Sequence, residues 1–225
     1  MRTVPVLLLT LALTAGCSHD KTATPTPAPS ASVDPFDAIA PPTSPGVGSF
    51  GPVLANHAYA ATQGFIALEL LEQSSVLGTN NAALVEQLQG GVQDLTVKTD
   101  LGGAPTRRGL DYRPLFPKGA SIPKPVGAVS ASSYTADEVQ GLGGETGIRV
   151  TWTGTVVYPV TLHGATTQVT YTTTMGYVFS KVAQDPAGLT MQQVIKGTAS
   201  FAGVIDACAA KGLLYPGSAG VPCPV

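Results

Sequence analysis

The chain has 225 residues, and only 12% of them are charged, against roughly 25% in an average soluble domain. A formal net charge of -2 indicates neither a general nucleic-acid binder nor an acidic tail. The length suits a leader, a tether and one domain with a proper core, and the scarcity of ionisable groups leaves little material for a catalytic constellation.

Residues 1–17 have the layout of a targeting segment. Arg2 supplies a small positive region, and Val6 to Leu13 form an apolar core too short to span a bilayer as a mature helix. Leu13-Thr14-Ala15-Gly16-Cys17 follows. This run of small residues before a cysteine resembles the lipobox of bacterial lipoprotein signal peptides, with Thr14 where Leu is commoner. The resemblance covers the leader alone. It implies cleavage before Cys17, acylation of its thiol, and a lipid-anchored protein on the outer face of the bacterial cytoplasmic membrane. The alternative is an ordinary secretory signal with an incidental Cys17. Cleavage divides the chain into a signal peptide (1–16), a tether (17–50) and one domain (51–225).

The tether is expected to be low in complexity and extended, from Thr24-Pro25-Thr26-Pro27 through Pro35, Pro41, Pro42 and Pro45. Such composition buries too little apolar surface to offset its ordering entropy. In polyproline II form about thirty residues reach roughly 90 Å. Gly46-Val47-Gly48-Ser49-Phe50-Gly51 spells G-x-G-x-x-G but follows Pro45 rather than a strand, so a dinucleotide fingerprint is rejected. Ser121-Ile122-Pro123-Lys124 spells S-x-x-K, but Pro123 and Pro125 deny it a helix.

Pro52 to Gln73 reads as a long helix. Leu54, Ala58, Ala61, Phe65 and Leu68 share one face at helical spacing, and Tyr59, Ile66 and Leu70 lie on a second. Glu72 stands one turn beyond Leu68. A carboxylate continuing an apolar stripe is a candidate general acid or base, with a solvated helix-end group as the alternative. Exposure of Glu72 to water would remove the enzymatic reading. A shorter helix is expected over Asn81 to Gln89, and Val92 to Thr99 fits either a helix or a strand. Lys98 to Lys124 is irregular and basic, and Arg107, Arg108 and Arg113 within it are candidates for partner binding. Val126 to Tyr134 reads as a strand, and Thr135 to Val139 as a short turn of helix.

The strongest periodic signal lies between Gly147 and Gly203. Ile148, Val150, Trp152, Val156, Tyr158, Val160 and Leu162 alternate with mostly threonine, as in a strand with one face buried. The pattern recurs at Val169, Tyr171, Met175, Tyr177 and Phe179, then at Leu189, Met191, Ile195, Ala199 and Phe201. Turns are expected at His163-Gly164 and over Gln184 to Gly188, and Pro159 requires an edge or a bulge. His163 reads as a turn residue rather than a ligand. If Cys17 is lipidated, Cys208 and Cys223 remain as a disulfide pair outside the reducing cytosol. No ligand spacing for a metal is present, and no cofactor is expected.

These elements give an α+β domain: N-terminal helices packed on a curved antiparallel sheet with three long meandering strands. The order of helices and then strands resembles the NTF2-like family over roughly Pro52 to Gly203, with a cystatin-like roll as competitor. The resemblance is topological and rests on no motif. Because that family holds both enzymes and binding modules, the fold alone does not choose among three functions. The first is a non-catalytic envelope protein binding a small apolar ligand or a protein partner. The second is an isomerase- or hydrolase-type enzyme with Glu72 as its pocket carboxylate. The third is an accessory subunit whose basic loop docks on an envelope complex.

Overall fold

The computed structural model describes residues 34–224, apart from 89–94, 142, 183–184, 196 and 219. Cys17 and the first half of the expected tether therefore lie outside the described residues. Asp34 to Phe50 do not form the end of a tether. Ile39 and Phe50 belong to the core, and Tyr134 Oη donates to the Ile39 carbonyl at 2.6 Å. A short helix, α1 (Pro35–Ala38), opens the packed chain, with Asp34 accepting from the Phe36 N–H. The G-x-G-x-x-G run is a tight turn: Gly46 and Gly48 have φ of 127° and 54°, and Val47 and Phe50 exchange backbone hydrogen bonds at 2.9 Å.

Four long strands follow the helices: β1 (Ala128–Gln140), β2 (Thr146–Leu162), β3 (Ala165–Val182) and β4 (Asp185–Ile195). They pair antiparallel in the order β1-β2-β3-β4, and a short β5 (Ala199–Ala202) pairs with the earlier half of β3. The alternation in β2 holds throughout, with Ile148, Val150, Trp152, Val156, Tyr158, Val160 and Leu162 all buried. On the opposite face, threonines pair across the ladder, Thr153 with Thr174 at 3.0 Å and Thr155 with Thr172 at 2.9 Å. His163 (φ 51°) and Gly164 (φ 80°) form the two-residue reversal between β2 and β3, where two left-handed residues match the twist of the strands. Pro159 sits beyond the last β1 pair, Ala128 with Val157, and before the Ser121–Thr161 bridge, so its missing N–H breaks no ladder.

Three expectations change. Thr135 to Val139 continue β1 instead of forming a helical turn, because they stay paired with Thr151 to Gly147 of β2, and Tyr134 and Ala136 rest half-buried on the core along this otherwise exposed edge strand. Asp185 to Gly188, expected in a reversal, belong to β4, and Gln184 lies outside the described residues. The third apolar series also breaks into two strands. Phe179 pairs with Met191 and Val178 with Gln193, so the extra residue, Gln192, shifts the phase and buries Val194 in place of Ile195.

The long helix is α2 (Pro52–Ile66), with Pro52 in its first turn. It continues as a π-helical turn, Ala67–Leu71, then α3 (Gln73–Val76), α4 (Asn81–Leu88) and α5 (Leu95–Gly102). α2 lies on the apolar face of the sheet, packed on β2 and β4. Tyr59 meets Tyr134 of β1 edge-on at 5.8 Å, and Phe65 stacks on Tyr177 of β3 at 5.2 Å. Both expected faces reach the core, Leu54 and Ala58 from the first and Tyr59, Ile66 and Leu70 from the second, while Ala61, Phe65 and Leu68 are half-buried and Ala55, Thr62 and Glu69 are buried as well. The chain closes with α6 (Asp206–Ala209) and a tail bonded back by Cys208–Cys223.

Candidate functional site

The π-turn decides which carboxylate goes inside. Glu69 is fully buried, whereas Glu72 ends the turn in an extended conformation and is exposed. The expectation that Glu72 continues a buried apolar stripe is therefore not met. Tyr177 donates its hydroxyl proton to Glu69 Oε1 at 2.7 Å, while Oε2 has no partner. Burial pushes the Glu69 carboxyl up to about 8, against the opposing pull of the Tyr177 hydrogen bond and the Arg113 charge. At neutral pH it is mostly a neutral acid. Tyr158 of β2 donates to the Leu70 carbonyl at 2.9 Å, supplying a partner inside a turn whose ordinary helical ladder is interrupted. Through Tyr177 of β3, Glu69 ties the helix to the sheet.

The basic residues part company. Arg107 pairs with Asp111 at 2.8 Å, donates to the Ala199 carbonyl at 3.1 Å and lies over the Phe201 ring at 4.9 Å. Arg108 is exposed. Arg113 is buried; it donates to the Ser75 carbonyl and, at 2.5 Å, to Asn81 Oδ1. Burial lowers its guanidinium to about 10, with Glu69 opposing, so it stays cationic at neutral pH. Of these three arginines, Arg108 is the exposed one with its charge turned to no described partner, while Arg113 pins the turns on either side of Gly78.

Those turns border a groove of about 550 Å³, walled by Leu77, Leu115, Phe116, Pro117, Leu213 and Lys118 among others. Gly78 (φ 67°) ends α3 in the left-handed conformation, and a Cβ there would meet Leu115 Cδ1 at 2.8 Å. The Val76 carbonyl accepts from the Phe116 N–H at 3.0 Å and the Leu115 carbonyl from the Leu214 N–H at 2.7 Å, which knits the walls together. Adjoining this groove, and sharing Asn81, Pro105 and Leu115 with it, is a pit of about 20 Å³ that Asp100 and Arg113 also line. A third cleft of about 340 Å³ lies where the π-turn meets the end of the basic loop, between Phe36, Leu68, Leu71 and Lys124, with Glu72 on its wall.

Compared with known proteins, the chain matches no family model, no curated protein and no solved structure. Among the described residues no three His, Cys, Asp or Glu side chains gather as a metal site, and no helix is long and apolar enough to cross a membrane.

The disulfide bears on the groove, because Leu213 donates its N–H to the Cys208 carbonyl at 3.1 Å. Closing a loop of 15 residues constrains the unfolded chain by about 3 kcal/mol. Replacing both Cys208 and Cys223 by Ser is expected to lower the free energy of unfolding in urea by about that amount. An unchanged midpoint would show that the tail is held by its packing alone.

The groove escaped sequence reasoning because its walls come from three distant segments of short, irregular chain. Glu69 was within reach. Tyr59, Thr62, Ile66 and Glu69 follow helical spacing, but two polar members disguised the stripe.

Proposed function

We propose that this chain is a lipid-anchored extracytoplasmic envelope protein whose single domain binds a small apolar molecule without transforming it. The observation that carries the reading is the groove of about 550 Å³ between the Gly78 turn and the Leu115–Ala120 segment. Its volume falls in the range of small-molecule sites, roughly 300–1,000 Å³, and its walls are mostly aliphatic, aromatic or proline. The Cys17 lipobox and the proline-rich stretch after it support the anchor and tether. Helix α2 lying across long antiparallel strands supports an NTF2-like roll. For the enzymatic alternative, Glu72 lines the smaller cleft beside Lys124, but its exposure deprives it of the apolar surroundings that would tune a catalytic carboxylate.

Native mass spectrometry of the full-length protein from its producing cells tests this. A retained small molecule, released by organic extraction, is the expected result. A bare polypeptide that also fails to take up 1-decanol in titration would overturn the reading.

A further inference from the structure

We infer that the groove selects a molecule with a terminal hydroxyl on its apolar body, the hydroxyl seating in the Asp100 pit. This rests on the groove being a ligand site. Asp100, at the end of α5, is 7% exposed, and its Oδ2 is buried without a hydrogen-bond partner. An orphaned carboxylate oxygen in the interior is costly and calls for a donor. The pit that Asp100 lines holds about 20 Å³, enough for one group of water or hydroxyl size and too little for a phosphate or a sugar.

Two glycines line the pit where backbone segments pack closely. Gly109 approaches so closely that a Cβ would sit 2.8 Å from the Asp100 carbonyl oxygen, and at Gly212 (φ 86°) one would sit 2.3 Å from the Thr106 nitrogen. The charges it presents narrow the ligand further. Asp100 is an acceptor, and Arg113, held by Ser75 and Asn81, is a cationic donor. A hydroxyl donates to the first and accepts from the second. An ether oxygen only accepts, an ammonium only donates and would face Arg113, and a carboxylate would face Asp100. The apolar body then lies along Leu77, Leu115, Phe116 and Leu213.

Calorimetric titration of the full chain with 1-decanol, decyl methyl ether and decylamine tests the assignment, using wild type and Asp100→Ala. Decanol is expected to bind wild type roughly tenfold or more tightly than the ether, and Asp100→Ala to abolish that preference while still binding both. Equal binding of decanol and ether by wild type overturns the hydroxyl seat and leaves the groove reading standing. Tighter binding of decylamine overturns the neutral head group. Binding of none of the three overturns the groove itself. Should Asp100→Ala fail to fold, the wild-type ratio of decanol to ether decides alone.

Discussion

Replacing Glu69 by Gln is expected to raise stability by several kcal/mol above about pH 8 and to flatten its dependence on pH. The folded carboxyl sits at about 8 and the ordinary value is 4.5, so between those values the native state keeps a proton that the unfolded chain has released. Stability is therefore full below about 4.5 and falls as pH rises, by up to about 1.4 kcal/mol per unit, until it levels off above about 8. The whole window amounts to at most about 5 kcal/mol. Gln cannot ionise, and its side-chain oxygen can still accept the Tyr177 hydroxyl that Glu69 Oε1 holds at 2.7 Å. Urea unfolding of both proteins from about pH 5 to about pH 9 measures the difference. Parallel curves would mean that Glu69 does not carry its proton into the native state.

Trp152→Ala is expected to cost about 3–5 kcal/mol, the largest loss from any single core truncation in the sheet. The ring is fully buried on the central strand β2, and its Nε1–H donates to Ser132 Oγ of β1 at 2.9 Å. It lies over Gly154, where a Cβ would come within 2.1 Å of Trp152 Cζ2. Truncation thus opens a cavity at mid-sheet, removes the hydrogen bond to Ser132 and leaves a glycine with nothing above it. Trp152→Phe should lose much less, about 1–3 kcal/mol, since most of the volume stays. Thermal and urea unfolding followed by circular dichroism check both. Equal losses for Phe and Ala would place the whole effect in the Ser132 hydrogen bond.

How much of this could be read in advance follows from how each element earns its burial. Strand β2 has one face against the core and one against water, so its residues alternate for its entire length and its register is legible. The His163-Gly164 reversal is equally plain, because left-handed backbone demands particular residues. Strand β1 is an edge exposed over most of its length, so Thr135 to Val139 carry no alternation and their composition misleads. The Gln192 bulge inverts the phase of β4 after Met191 with no change in composition to announce it. Within the helix, apolarity marks Leu54, Ala58, Tyr59, Ile66 and Leu70, all buried, but cannot mark Thr62 and Glu69, which tertiary contacts bury as well. Glu72 was proposed from a straight helix, and the π-turn at Ala67–Leu71 rotates the chain before reaching it.

The same logic explains the candidate site. Its elements are a glycine turn, a proline-rich segment and a disulfide-tied tail, none of which has a period. Arg113 was singled out for its charge, and its place is internal, joining Ser75 to Asn81 beside the groove. The local signals at Gly78, Asp100 and Gly212 acquire meaning only once the chain brings them together.

Methyl-resolved NMR of the protein titrated with 1-decanol tests the central claim most directly, because two separate cavities carry different leucines. Saturable shifts at Leu77, Leu115 and Leu213, with Leu68 and Leu71 unmoved, are the predicted result. Shifts confined to Leu68 and Leu71 would move the ligand to the cleft beside Glu72, and the absence of saturable shifts would contradict a ligand groove altogether.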